Sequence, residues 1–270
     1  MDTIGFHEFY MALTYGDYLK VNELIQLQKP LSKGPEHDEL LFITIHQAYE
    51  LWFKQLLHEL DHLCVLFRED ERFRCLHTLK RVRTILKTLV QQVDILETMS
   101  PLEFSSFREF LDTASGFQSF QFREIEFLLG LKNPAKMKPY PEGSPERERL
   151  EKRLKAPAMW DVFLAFLSRR GFAVPLDVMQ RDVTESIKPD TELQDLLIMI
   201  YRTEPLLSEL MEAIVDIDEG LQEWRYRHVK MVERTIGMKP GTGGSSGAEY
   251  LRSTLFAPVY PDLWNIRYRL

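Results

Sequence analysis

The apolar residues of this 270-residue chain recur at helical spacing, and strand-like alternation of useful length is absent from the sequence. From Asp38 to about Arg68, apolar side chains cover nearly every face, which predicts a central helix surrounded by protein. Four rings share one face of this helix: Phe42, His46, Tyr49 and Phe53. Their spacing places these rings one above the other along the helix.

Two further long helices follow from the same pattern. One is predicted from about residue 72 to residue 98, because its apolar residues alternate steps of three and four and form a core-facing stripe. The stripe consists of Leu79, Val82, Leu86, Leu89, Val93 and Leu96. Another helical stretch is predicted over about residues 190–236, with an interruption or a kink near Pro205, since proline lacks the backbone N–H that the helix needs.

Shorter helices are predicted between these long ones. Ser100, Pro101 and Glu103 supply an N-cap, a proline at the first helical position and a glutamate at the third, which together indicate a helix start. This helix is expected to end near Leu111. A second one is predicted over residues 117–129.

Glycine and proline cluster at the ends of the predicted helices. Gly130 follows the helix over 117–129 at a position where glycine commonly ends helices. Residues 131–145 carry four prolines and no periodicity, which indicates an exposed connection, and shorter helices are expected beyond it up to Val174. We therefore predict an all-α fold in which residues 1–270 form a single domain.

The charge, the apolar content and the cysteine count make several classes of protein less plausible. The chain has 34 basic and 41 acidic residues, a net charge of −7, so it offers no overall positive field for a nucleic acid or an anionic membrane. No apolar run approaches the roughly 18 residues that span a bilayer. The first thirty residues include Asp2 and Glu8 and no basic residue before Lys20, unlike a targeting peptide. With only two cysteines, Cys64 and Cys75, a cytoplasmic protein is expected.

The most conspicuous generic motif is His58-Glu59-Leu60-Asp61-His62, which matches the H-E-x-x-H pattern of zinc peptidases. Asp61 adds a competing charge, and no convincing third ligand follows at helical distance. A solvated or salt-bridged helix face explains the residues better. Glu59 and His62 also match the E-x-x-H pair of di-iron bundles, but such a site needs a second pair and two further glutamates, and the sequence has no second pair.

His46 and Arg108 stand out because each lies among apolar side chains. His46 is flanked by Ile43, Ile45 and Ala48, where a neutral imidazole offers one donor and one acceptor in a dry pocket, or serves only as a satisfied core residue. Arg108 stands among phenylalanines and requires an anionic partner. That partner is either an internal carboxylate or the carboxylate of a substrate held by two parallel hydrogen bonds.

Residues 237–247 contain five glycines, which predicts a loop. The loop lacks the signature of a P-loop, but backbone N–H groups beside the Thr242, Ser245 and Ser246 hydroxyls suit a small zwitterion. Residues 222–239 just before it carry five basic and two acidic residues, a local charge of +3. His228 within this segment is either a solvated side chain or an axial haem ligand with arginines near the propionates.

Three long stretches resemble the tryptophan 2,3-dioxygenase family of all-helical haem enzymes. They are LLFITIHQAYELWFKQLLHELD, SPLEFSSFREFLDTASGFQSFQFREIEFLLG and WRYRHVKMVERTIGMKPGTGGSSGAEYLRSTL. The similarity runs from LTYGDYL near Leu13 to PDLW at 261–264 and so covers nearly the whole chain. The resemblance implies cleavage of the indole C2=C3 bond of L-tryptophan by O₂ to N-formyl-L-kynurenine, with haem b as cofactor.

The resemblance also implies roles for individual residues. His228 would be the axial ligand of the haem iron, His46 the distal histidine that hydrogen-bonds the indole N–H, and Phe42 a packing partner of the indole and the haem. Phe104, Arg108 and Thr242 would bind the amino-acid part of the substrate or complete the pocket. The family also forms homotetramers, in which an N-terminal segment of about residues 1–30 would reach into the site of a neighbouring subunit. Tyr15 and Tyr18 would belong to this segment and contribute to that site. At two positions where the family has either tyrosine or phenylalanine, this chain has Phe104 and Phe122. Without a hydroxyl at Phe104, the substrate carboxylate has one possible contact fewer and depends more on Arg108.

Other functions stay open on the sequence. A relative with the same fold and haem could oxygenate a substituted tryptophan, even with a single oxygen atom. A zinc peptidase at His58, Glu59 and His62 is a remote alternative, and a non-catalytic helical interaction protein would need only the amphipathic helices. We expect a small-molecule substrate and neither a nucleic acid nor a membrane as partner.

Overall fold

The computed structural model describes residues 12–34, 36–237, 239, 251–252 and 254–270. Within these ranges the regular structure consists of α-helices and short 3₁₀-helices, without a strand, which confirms the all-α prediction. The α-helices are α1 (Tyr15–Leu19), α2 (Val21–Leu24), α3 (His37–Arg68), α4 (Arg72–Leu96), α5 (Pro101–Phe107), α6 (Phe120–Leu129), α7 (Pro145–Lys155), α8 (Met159–Arg169), α9 (Leu176–Met179), α10 (Thr191–Thr203), α11 (Pro205–Ile236) and α12 (Pro261–Asn265). The 3₁₀-helices span Arg108–Leu111, Gly116–Gln118, Pro134–Met137 and Arg267–Arg269.

Helices α3, α4 and α11 form the centre of the fold. Helix α4 packs against both α3 and α11, and α3 also contacts α6 and α8. All six apolar residues of the stripe predicted on α4 are buried. The stretch predicted over 190–236 is divided at Pro205, which occupies the first helical position of α11. Because proline fits the first turn but not the interior of a helix, the chain ends one helix and starts another there.

The segment between α4 and α7 differs from the prediction in detail. Ser100 and Glu103 form the predicted capping box at the start of α5, but the α-helix ends at Phe107 and continues as the 3₁₀-helix that carries Arg108. The helix predicted from residue 117 begins at Phe120, because the Ser119 side chain accepts a hydrogen bond from the Phe122 N–H and thereby caps it. Two short 3₁₀-helices, Arg108–Leu111 and Gly116–Gln118, therefore lie between α5 and α6, where the sequence predicted the end of one helix and the start of the next.

Gly130 ends α6 as predicted, with φ at +123°. A Cβ atom at this position would come within 2.3 Å of Ile187 Cδ1, so both the backbone angle and the close contact require glycine. The exposed connection predicted over 131–145 is wrong in part, since Lys132, Met137 and Tyr140 are buried. The prolines of this segment predict a loop, but they do not indicate that these three side chains pack against α6 and α7.

The C-terminal residues are fastened to α11 by one buried carboxylate. Asp218 accepts hydrogen bonds from the backbone N–H groups of Val259 and Tyr260, from Trp264 Nε1 and from Gln222 Nε2, at 2.9–3.1 Å. Four donors on one carboxylate satisfy it without a cation. This contact fixes the segment that follows the glycine-rich residues onto the helix that carries His228.

Both cysteines, Cys64 on α3 and Cys75 on α4, are free and buried. Burial raises the pKa of each thiol to about 12, so both are thiols at neutral pH. Of the helices that the structure describes, none combines the length and the apolar character that crossing a bilayer requires.

Candidate active site

A deep cavity opens between α3, the α5–α6 segment and α11. The empty space within it, together with the open solvent at its mouth, amounts to about 1570 Å³. Six of the residues singled out in the sequence line it together: Phe42, His46, Phe104, Arg108, Phe122 and His228. These residues come from distant parts of the chain, and the fold brings them to one place.

His46 reaches the cavity from α3 in a defined orientation. Its Nδ1 lies 2.7 Å from the Phe42 carbonyl oxygen one turn earlier, so the Nδ1–H donates to this carbonyl and Nε2 carries the free lone pair. Burial lowers the pKa of His46, although the Phe42 carbonyl and Glu50 act in the opposite direction. The imidazole is therefore neutral near pH 7 and presents a hydrogen-bond acceptor to the cavity.

Phe42 belongs to a cluster of rings at the same wall. Its ring centroid lies 4.1 Å from that of His46, 5.8 Å from that of Phe104 and 5.5 Å from that of Phe107. Phe104 and Phe107 meet edge to face at 5.4 Å. Packed rings of this kind form a rigid apolar wall that favours a flat aromatic ligand.

His228 lies on α11 and is partly buried in the cavity wall. Its ring is stacked on that of Trp224 one turn earlier, with the centroids 5.2 Å apart and the planes at 5°. Burial first, and then the charges of His46 and Arg123, lower the pKa of His228 to about 4. The described residues contribute no hydrogen bond or ion pair to this ring. His228 is thus a neutral imidazole with its lone pair available, which is the form that binds a metal.

Three cations surround one buried carboxylate at the side of the cavity. Glu126 on α6 forms ion pairs with Arg123, with Lys136 Nζ at 3.0 Å and with Arg225 Nη2 at 3.2 Å. Burial alone would raise the pKa of Glu126, but the three cations outweigh it and hold the pKa below its ordinary value. The group as a whole carries two positive charges in excess, and all four residues line the cavity.

Sequence reasoning missed this cation cluster. Lys136 lies in the segment that was predicted to be an exposed connection, and Arg225 was counted only as part of a basic segment. A signal was present in α6, where Arg123 and Glu126 stand three residues apart in the apolar run FQFREIEFLL. Charged residues in such a run must pair when they are buried.

The remaining predicted substrate residues divide into three groups. Arg108 lies on the 3₁₀-helix after α5 and reaches the cavity. Thr242 and the rest of the glycine-rich stretch 241–247 lie outside the described residues, but Leu251 and Thr254, which follow it, line the cavity. Tyr15 and Tyr18 do not line this cavity; they are 78% and 71% exposed on α1.

The side chains of the H-E-x-x-H motif on α3 lie in different environments. His58 and His62 are exposed, whereas Glu59 is buried and bound to Arg81 Nη1 at 3.1 Å. Asp61 is engaged by Arg153 at 2.6 Å. No group of three or more potential ligands is found among the residues that the structure describes. The salt-bridged helix face inferred from the sequence is confirmed.

Comparison with known proteins identifies the family of the chain. The sequence profile of the family described as tryptophan 2,3-dioxygenase matches residues 2–169 and 142–270. The tryptophan 2,3-dioxygenase of Herpetosiphon aurantiacus is 59% identical over 256 residues, which are 95% of this chain and 98% of that protein. The proteins of the same name from Anaeromyxobacter sp. strain K and Bacillus thuringiensis subsp. konkukian are 52% and 42% identical, over 95% and 98% of this chain and 96% of each relative. The chain therefore belongs to the tryptophan 2,3-dioxygenase family.

Proposed function

We propose that this protein is a haem-dependent dioxygenase that cleaves the indole C2=C3 bond of L-tryptophan. Both atoms of O₂ enter the product, N-formyl-L-kynurenine, so no external reductant is consumed. The observation that carries the proposal is the pair of partly buried, neutral histidines, His46 and His228, which line one cavity together with Arg108. Family membership supports the choice of substrate.

The residues of the cavity fit haem b. His228 would hold the iron through a neutral imidazole, whose ring is stacked on that of Trp224. The cation cluster of Arg123, Lys136 and Arg225 exceeds its single carboxylate by two charges, which matches a cofactor that carries two carboxylates. When bound, haem b supplies the iron chemistry that activates O₂.

The proposed substrate position follows from the donors and acceptors around the ring cluster. The indole would pack on Phe42, and its N–H would donate to Nε2 of His46, the nitrogen that the Phe42 carbonyl leaves free. The guanidinium of Arg108 would bind the substrate carboxylate. In this proposal Thr242, which lies outside the described residues, binds the ammonium group. The apolar wall excludes water from the indole edge.

In this reaction His46 acts by orientation. A neutral imidazole that already donates from Nδ1 holds the indole N–H through one hydrogen bond and fixes which indole bond faces the oxygen. Its lowered pKa keeps it uncharged, so the hydrogen bond persists through the neutral pH range. Phe104 has no hydroxyl, and Arg108 consequently provides the main charged contact of the carboxylate.

We also propose a homotetramer of single-domain subunits that acts in the cytoplasm. Helix α1 has no buried residue, and Tyr15 and Tyr18 expose large apolar surfaces, which supports their insertion into a neighbouring subunit as the family resemblance implies. In that arrangement the N-terminal segment completes the pocket of a second copy. Size-exclusion chromatography with light scattering tests the assembly directly.

The function is tested by turnover of the haem-loaded, reduced protein with L-tryptophan and labelled O₂. The expected product is N-formylkynurenine with two labelled oxygen atoms. The substitution His228→Ala should abolish the haem absorption band, whereas His58→Ala, on the exposed face of α3, should leave the band and the activity unchanged. Absence of turnover with haem fully loaded refutes the proposal. A product with one labelled atom, or turnover only of a ring-substituted tryptophan, assigns the same cavity to a different oxygenation.

A further inference from the structure

The first described residues of the chain are barely covered by their own subunit. We call residues 12–27, which include α1 and α2, the N-terminal arm. All of its residues are exposed except Gly16 and Val21, which are partly exposed. Seven of its large apolar side chains, from Leu13 to Leu27, are between 41% and 78% exposed. So much apolar surface in one short segment indicates a contact with another protein surface.

Glu39, in the first turn of α3, fastens the chain just after the arm. Its carboxylate accepts hydrogen bonds from the Leu31 N–H at 2.6 Å, from the Ser32 N–H at 3.0 Å and from the Ser32 hydroxyl. Glu39 is only 2% exposed, so water does not compete for these bonds. Hydrogen bonds to a carboxylate are among the stronger ones in proteins, and Glu39 therefore fixes the position of Leu31 and Ser32.

Gln47, two turns further along α3, supplies the other attachment. Its Nε2 donates to the Leu27 carbonyl at 3.1 Å, and its Oε1 accepts from Gln28 Nε2 at 2.5 Å. Within the described chain, residues 12–31 form no other hydrogen bond with α3 or with the helices that follow it. Gln47 is partly exposed and uncharged, so the buried carboxylate of Glu39 provides the stronger of the two attachments.

The attachment lies beside the deep cavity. Glu39, Phe42 and His46 follow one another at steps of three and four along α3 and therefore share a face of this helix. Phe42 and His46 line the cavity, whereas Glu39 does not, and neither do Tyr15 and Tyr18 of the arm. The arm thus leaves the subunit close to the cavity wall, but its two tyrosines do not enter the cavity of their own chain.

We propose that Glu39 is a positioning residue for the N-terminal arm. By holding Leu31 and Ser32, it directs the arm away from its own subunit, so that Tyr15 and Tyr18 reach the cavity of a second copy. Glu39 touches neither the substrate nor the cofactor, and its effect on the reaction passes through the arm. This inference rests on the homotetramer of the proposed function and names the contact that sets the direction of the exchanged segment.

The test compares Glu39→Gln with the parent as full-length, haem-loaded protein. Glutamine keeps the shape of the side chain but replaces one acceptor oxygen by an NH₂ group, which cannot accept from Leu31 or Ser32. In light scattering over a dilution series, the tetramer should dissociate at an about tenfold higher protein concentration. The KM for L-tryptophan should rise about two- to fivefold, while kcat and the haem absorption band stay close to those of the parent.

Glu36→Gln is the matched control, because Glu36 precedes α3 and its side chain forms no hydrogen bond with the described residues. It should leave the assembly and the KM unchanged. Ser32→Ala removes one donor from the other side of the same contact. It should shift the assembly and the KM in the same direction as Glu39→Gln, by a smaller factor, and it keeps the test decisive if Glu39→Gln folds poorly.

Tyr18→Ala, alone and combined with Glu39→Gln, shows whether Glu39 acts through the arm. Two residues that act through one contact are not additive, so the double variant should raise the KM little more than Tyr18→Ala alone. Additive effects on the KM would overturn the inference, and so would a tetramer that Glu39→Gln leaves unchanged. A monomeric parent would refute the proposed assembly and this inference with it, whereas haem binding and product analysis test the proposed reaction separately.

Discussion

The substitution Asp218→Ala should detach the C-terminal segment from α11. Asp218 is fully buried, and its two carboxylate oxygens accept from four donors. Alanine removes the acceptor but leaves the N–H groups of Val259 and Tyr260 and the Trp264 Nε1 inside the protein. Gln222, which is partly exposed, can turn to solvent.

The magnitude follows from the donors that lose their partner. A buried donor without an acceptor costs about 1–3 kcal/mol, and three of them are left here. Partial entry of water and relaxation of the segment reduce the sum, so we expect the free energy of unfolding to fall by about 3–5 kcal/mol. Asp216→Ala, two residues away on the same helix, removes a partly exposed pair with Arg83 and should cost about 1 kcal/mol or less.

Urea unfolding at pH 7 measures both variants against the parent protein. Hydrogen exchange provides the local readout: amides of residues 259–266 should lose protection in Asp218→Ala, whereas those of α3 should retain it. The reasoning is refuted if Asp218→Ala costs no more than Asp216→Ala, because the carboxylate would then contribute no more than an ordinary surface pair. Unchanged hydrogen-exchange protection of the amides of residues 259–266 would refute it as well.

Three further predictions concern the deep cavity. Glu126→Gln leaves two buried arginines, Arg123 and Arg225, and the partly buried Lys136 without their anion, so urea unfolding at pH 7 should show a loss of about 3–5 kcal/mol. Since the pKa of Glu126 is depressed in the folded state, this difference should persist above pH 4.5, the ordinary carboxyl pKa, and shrink as the pH falls below it. His46→Phe should lower kcat/KM for L-tryptophan about two- to tenfold, as expected for one neutral hydrogen bond, and a loss beyond about a hundredfold would contradict a purely orienting role. Phe104→Tyr adds a hydroxyl next to Phe42 and should lower KM a few-fold, about 1 kcal/mol or less, with kcat nearly unchanged, whereas an unchanged KM would place the substrate carboxylate elsewhere.

The long helices were predictable because their apolar periodicity continues over many turns. Helix α3 begins one residue before its predicted start, and Pro205 divides α10 from α11 at the predicted place. The shorter elements were less predictable, since their ends depend on single side chains such as Ser119, whose hydroxyl caps α6 and delays its start. Hydrophobic periodicity carries no information about such a cap.

The sequence also indicated which side chains meet in the deep cavity, but not how they are held. His46 was recognisable from its apolar neighbours, yet the Nδ1 contact with the Phe42 carbonyl that leaves Nε2 free depends on the side-chain rotamer.

The local charge of +3 around His228 was an incomplete guide to the cavity. Of the arginines in this segment, Arg225 faces Glu126, whereas Arg227 pairs with Asp94 at 2.5 Å and so helps to join α11 to α4. The other cations beside Glu126 come from α6 and from the 3₁₀-helix after it, outside the basic segment. Burial, rather than the count of charges along the sequence, decides which cations act on the cavity, because a buried charge is screened much less than a solvated one. A chain with a net charge of −7 can therefore present a positive wall to an anionic cofactor.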